Sequence, residues 1–102
     1  MANPKPPQAV REAARKALER REEYGRGGTE VGVARARDLA NGKGIPEETL
    51  KRMVSFFARH AGDPKQDPTS AASIAWGLWG GSEGRAWAAA ELRRIERERE
   101  EG

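Results

Sequence analysis

The chain has 102 residues, 36% hydrophobic and 34% charged, a ratio that predicts one small domain with a thin core and a heavily solvated exterior. It contains no cysteine, which excludes disulfides, thiolate metal sites and cysteine nucleophiles. No segment approaches the roughly 18 apolar residues of a membrane span, and the N-terminus lacks the apolar run of a signal peptide. The sequence therefore predicts a soluble, intracellular protein of net charge +3.

The first elements are two helices separated by glycines. Residues 1–6 contain two prolines and no apolar pattern, and they predict an extended lead-in. Residues 7–23 are rich in Ala, Glu, Arg and Leu and predict a helix with a weak apolar face. Glycines then end this helix, and Thr29 predicts the N-cap of a second helix, which stops at Asn41 and Gly42.

The third predicted helix begins near Glu47 and has the strongest amphipathic pattern in the chain. Its apolar side is formed by Leu50, Met53, Val54 and Phe57. Thr69 or Ser70 predicts the cap of a short fourth helix, and a last helix is predicted from Ser82. Beyond that helix the charged segment 96–102 has no apolar side, so it is predicted to fray or project.

These elements predict a compact all-α single domain over residues 7–95. It should contain four to five short helices, and the second and third should form a helix-turn-helix-like central pair. The glycine pairs at 27–28 and 80–81 lack the preceding strand and the lysine of a phosphate-binding loop. They are predicted to separate helices.

Patterns for catalysis are weak. His60 is the sole histidine, so a metal site would need carboxylates such as Asp63 and Asp67, whose spacing matches no metal motif. No strained nucleophile turn accompanies the serines that could pair with His60. The sequence predicts no enzyme activity, no metal and no cofactor; an activity around His60 is the weaker alternative.

The charge distribution favours nucleic-acid binding. Between Tyr24 and Gly62 there are seven basic and four acidic residues, whereas from residue 63 onward there are six basic and eight acidic. Basic side chains on the outer side of the third helix would neutralise phosphates, so DNA or RNA is the predicted partner, bound mainly through its backbone. The predicted binding residues are Arg26, Arg35, Arg37, Lys43, Lys51, Arg52, Ser55, Arg59, His60 and Lys65.

Two observations leave a competing interpretation open. Glu47 and Glu48 occupy the helix end that approaches the bases in a helix-turn-helix, where phosphates would repel them. Arg35, Arg37 and Asp38 could form an ion network inside the scaffold. The arginines would then stabilise the fold or bind an acidic protein surface. The direction of four side chains separates the two interpretations: Arg35, Arg37, Arg52 and Arg59. If they point outward on one face, nucleic-acid binding is favoured. If they point inward and pair with Asp38, a role in stabilising the fold is favoured.

The tryptophans also have two interpretations. Trp76 and Trp79 lie three apart on the fourth helix, and with Trp87, Phe56 and Phe57 they are predicted to supply most of the core. Three tryptophans are many for so small a chain. Trp76 and Trp79 are therefore also candidates for stacking on a base or anchoring a protein interface.

Three blocks in order, RARDL, RM-S-FFARH and IAW-LWGG, resemble a small domain encoded in many tailed-bacteriophage and prophage genomes. The domain occurs alone or attached to larger phage proteins, including some of the head-assembly region. The resemblance covers about residues 5–89 and departs from the family at two places, Ser82 in place of an acid after WGG and a shorter loop at 62–69. Because the family has no settled activity, the resemblance implies a phage context and little chemistry.

The sequence thus favours a non-enzymatic phage accessory protein that binds nucleic acid, located in the host cytoplasm or packaged in the virion. The alternative is a protein-interaction or virion-structural, head-associated module that does not bind nucleic acid and has a phage or host protein as its partner. No membrane association is predicted. The sequence does not specify the oligomeric state.

Overall fold

The computed structural model describes residues 3–62 and 67–102, which form helices and connecting segments and contain no strand. The helices are α1 (Gln8–Tyr24), α2 (Glu30–Ala40), α3 (Glu47–His60), α4 (Ala71–Leu78) and α5 (Gly81–Glu101). This arrangement confirms the predicted all-α single domain. No helix within the described ranges is both long and apolar enough to cross a membrane.

The helix ends follow local signals in the sequence. The Thr29 hydroxyl accepts a hydrogen bond from the Gly32 N–H at 3.3 Å, and the Ser70 hydroxyl accepts one from the Ser73 N–H at 3.2 Å. Gly25 ends α1 in the left-handed conformation, with φ of 62°. The predicted caps of α2 and α4 are therefore confirmed.

Helix α1 is central to the packing, since α2, α4 and α5 all lie against it. Its buried residues are small: Val10, Ala14 and Ala17. A Cβ atom on Gly77 of α4 would lie 2.8 Å from the Ala17 Cβ, so these two helices approach closely because both present small residues. Helix α3 supplies more of the large core side chains than any other helix, since Leu50, Met53, Phe56 and Phe57 are buried.

The two helices of the predicted central pair, α2 and α3, pack mainly on other helices. Helix α2 packs on α1 and, less extensively, on α4, whereas α3 packs on α5. The connection between α2 and α3 is held by the N-terminal lead-in, because the buried Ile45 donates its N–H to the Pro4 carbonyl at 2.8 Å. The order helix, turn, helix is present, but α2 and α3 are positioned by different partners.

The charged segment 96–102, predicted to fray or project, is helical as far as Glu101. Arg94 bridges Glu91 and Glu98 at 2.8 Å on the same helix. Arg99 contacts Glu47 at the start of α3, with 2.6 Å between guanidinium nitrogen and carboxylate oxygen, and this hydrogen bond lowers the pKa of Glu47. The end of α5 therefore forms an ion pair with the start of α3, which is distant from it in the sequence.

Gly27 and Gly28 do more than separate α1 from α2. Both have positive φ, 102° and 74°. A Cβ on Gly27 would lie 2.6 Å from the Ile74 Cβ, and one on Gly28 would lie 2.5 Å from the Leu78 Cδ1. The absence of side chains here lets the segment leading into α2 lie directly on α4.

Gly27→Ala should lower the free energy of unfolding by about 2 to 4 kcal/mol, because left-handed strain adds to a collision with Ile74. The control is Gly25→Ala, which also places a side chain at positive φ, 62°, but has no atom within 4 Å of the added Cβ. Urea denaturation followed by tryptophan fluorescence would measure both. Equal losses in the two variants would contradict the close approach of residue 27 to α4.

Candidate nucleic-acid interface

An open groove of about 1050 Å³ lies between α3 and the first turns of α2 and α4. One wall is the outer face of α3, whose residues recur at intervals of three and four and so lie on one side of the helix. This wall is formed by Glu48, Lys51, Arg52, Ser55, Arg59 and His60. We call it the cationic wall.

The cationic wall contains five of the ten predicted binding residues. Lys51, Arg52, Ser55 and Arg59 are exposed, and His60 is half-buried at the end of the helix. The structure thus brings together the predicted residues of α3, including the basic ones predicted to lie on its outer side.

The opposite wall is uncharged, and none of its residues was predicted from the sequence to bind a partner. Val31, Ala71, Ala72 and Ala75 supply its apolar surface, and the Val31 side chain is 56% exposed. We call these four residues the apolar wall. A valine in the first turn of a helix, two residues after its cap, was a weak signal for it, whereas the alanines carried no distinguishing signal.

The base of the groove is a stacked aromatic pair. The rings of Phe56 and Trp79 have centroids 4.8 Å apart and planes 12° apart, and both residues are buried. The His60 ring lies over Phe56, with 4.5 Å between the centroids. Trp79 therefore lies where the sequence placed a stacking candidate, but one face of its ring is already covered by Phe56.

Arg35 lies outside the groove. Its side chain is 12% exposed, its guanidinium is 3.4 Å from the Asp38 carboxylate, and it lies 5.8 Å from the centre of the Trp79 ring. Burial lowers the pKa of this guanidinium, and its Nε has no hydrogen-bond partner among the described residues. The geometry is that of a scaffold residue supporting Trp79, as in the competing interpretation.

Arg26, Arg37 and Lys43 are also separate from the groove. Arg26 donates from Nε to the Thr69 carbonyl at 3.0 Å and so links the start of α2 to the start of α4. Lys43 lies 3.9 Å from the Asp38 carboxylate, and Arg37 is exposed on α2. Lys65 is outside the described residues.

Trp76 is a packing residue at a helix junction. Its ring meets Phe57 edge to face, with centroids 4.8 Å apart, and its Nε1–H donates to the Ser82 hydroxyl at 3.4 Å. The Arg85 guanidinium lies 6.0 Å from the ring centre. Trp76 does not line the groove.

Metal binding has no support in the described part of the chain, where no group of three histidine, cysteine or acidic residues could hold an ion. Asp63, one of the carboxylates considered with His60, lies outside that part. Asp67 instead accepts hydrogen bonds from the Thr69 N–H at 2.9 Å and hydroxyl at 2.8 Å, and these bonds lower the pKa of Asp67.

Comparisons with protein-family models, curated proteins and solved structures found no match. The resemblance to a phage domain therefore stays a prediction from the sequence. The geometry of the groove is therefore the basis for assigning a function.

Of the two acids in the first turn of α3, Glu47 and Glu48, Glu47 is paired with cations and therefore repels an anion less than a free carboxylate would. Glu47 lies 2.6 Å from Arg99 and 3.5 Å from Lys51, and these cations lower the pKa of its carboxyl, the hydrogen bond from Arg99 most. Among the described lining residues, Glu48 is the one acid, against Lys51, Arg52 and Arg59. The cationic wall thus keeps a positive surplus.

Proposed function

We propose that this protein binds nucleic acid through its backbone phosphates, with the cationic wall of α3 as the contact surface. The observation that carries the proposal is the exposure of Lys51, Arg52 and Arg59 on one face of one helix, within one groove. From Lys51 to Arg59 the helix rises about 12 Å, so these cations can contact successive phosphates. Such contacts are independent of base sequence.

His60 packs on Phe56, and no three potential metal ligands cluster within the described ranges. We therefore propose a binding protein rather than an enzyme. The resemblance of the three sequence blocks supports a phage accessory role as the setting for this activity.

The apolar wall favours a second candidate function. An acidic amphipathic protein segment could place its carboxylates against Lys51, Arg52 and Arg59 and its apolar face against Val31 and the alanines. This would be the protein-interaction or virion-structural role. It requires no affinity for nucleic acid, so a direct binding measurement separates it from the first proposal.

The test is a salt titration of binding to a fluorescently labelled, mixed-sequence oligonucleotide followed by anisotropy. Three phosphate contacts release enough counterions to give a slope of about −2 to −3 in a plot of log K against log salt concentration. Affinity should therefore fall about 15- to 60-fold between 50 and 200 mM salt. Absence of binding at 50 mM salt to DNA and to RNA would overturn the proposal.

A further inference from the structure

We infer, on the basis of the proposed function, that the groove binds a single strand of nucleic acid in preference to a duplex. Phosphates lie along the cationic wall, and the unpaired bases face the apolar wall. The inference rests on the shape of the groove and on the contrast between its two walls.

The shape disfavours a duplex. A helix that reads duplex DNA projects from its domain into a major groove about 12 Å wide. The cationic face of α3 does not project in this way, because it is one side of a groove whose other side is formed by the first turns of α2 and α4. Arg26 links these two turns through the Thr69 carbonyl. A duplex would contact the rim, whereas one strand can enter.

One wall of the groove is cationic and the other is apolar, and these two properties match the charged backbone and the exposed bases of a single strand. A strand without a complement carries charge along its backbone and exposes base faces on the other side, whereas a duplex presents phosphates outward and buries its base faces. Val31, Ala71 and Ala75 offer an apolar surface opposite Lys51 and Arg52. Their side chains have no donors or acceptors for base edges, so the bound strand is selected with little regard to sequence.

The aromatic pair at the base does not provide a free stacking platform. Phe56 covers one face of Trp79, and the Arg35 guanidinium lies 5.8 Å from the ring centre. The bases therefore contact the apolar wall, and the pair supports the groove from below. Along α3, from Glu48 to His60, the groove extends roughly 18 Å, a length of several nucleotides.

The test compares a labelled, mixed-sequence 20-nucleotide single strand with the same strand annealed to its complement, at 50 mM salt and with the full chain. The single strand should bind at least about tenfold more tightly, because base contacts add to those with phosphate. Val31→Ala should reduce single-strand affinity about three- to tenfold through lost apolar contact and reduce duplex affinity by a smaller factor, because a duplex buries its base faces away from this wall.

Tyr24→Ala is the matched control, because Tyr24 and Val31 are the two large exposed apolar residues of the described chain and only Val31 lines the groove. Equal or tighter binding of the duplex, or equal effects of the two variants, would overturn the inference and leave the proposed function standing. No binding to either nucleic acid would overturn both. Binding of an acidic amphipathic peptide in their place would assign the groove to a protein partner.

Discussion

Reversal of both Lys51 and Arg52 to glutamate is expected to weaken nucleic-acid binding by about 100-fold or more at 50 mM salt. Each phosphate contact is worth about tenfold at this salt concentration through counterion release, and the new carboxylates repel the strand. Both side chains are exposed on the cationic wall, so the fold should tolerate the change. Anisotropy with the single strand measures the affinity, and circular dichroism checks that the helices persist.

The matched control is the pair Arg93→Glu and Arg97→Glu, which changes the net charge by the same amount on exposed positions of α5 outside the groove. Because neither residue lines the groove, this change acts through long-range electrostatics alone and should reduce affinity only slightly, and less as salt is raised. A loss as large as that of the Lys51 and Arg52 variant would show that binding depends on net charge, and the cationic wall would not be the site.

The second large effect is expected in the core. Phe57→Ala should lower the free energy of unfolding by about 3 to 5 kcal/mol, since a fully buried aromatic side chain would be replaced by a cavity. Phe57 is 1% exposed and meets the rings of Phe56 and Trp76 edge to face, at 5.4 and 4.8 Å between centroids. A domain of this size has about 5 to 15 kcal/mol of stability, so the variant should be close to unfolding.

The loss is expected to be large because Phe57 is the largest fully buried side chain and several of the other core residues are small. Four of the buried core residues are alanines, namely Ala14, Ala17, Ala36 and Ala88. Thermal unfolding should show a fall in Tm of more than about 10 °C. Phe57→Leu, which keeps most of the volume, should cost less than about 1.5 kcal/mol. If the alanine variant cost no more than the leucine variant, Phe57 would not be the centre of the packing.

Several elements were predictable because their signals are local. Thr29 and Ser70 cap α2 and α4, as their residue types predict, and the apolar spacing of α3 identified Leu50, Met53 and Phe57 as core residues. The same spacing placed Lys51 and Arg52 on the opposite, exposed side. A helix that has one buried side must expose the other, so this part of the candidate site follows from the sequence.

Other features depended on contacts between residues far apart in the chain. Arg35 and Arg52 are both arginines near apolar positions, yet Arg35 is largely buried against Trp79 and Arg52 is exposed in the groove. The end of α5 has no apolar pattern and was predicted to fray or project, and the contact of its Arg99 with Glu47 of α3 was not foreseen. Neither outcome follows from periodicity, because each depends on which helix lies next to the residue.

By itself the sequence determined the helices, their caps, the buried face of α3 and the basic character of its outer face. These are properties of residues within one or two helical turns of each other. The tertiary structure alone decided that the basic face borders a groove and that the first turns of α2 and α4 form its apolar wall. The wall exists because Gly27 and Gly28 let the start of α2 lie on α4, a contact between segments more than 40 residues apart.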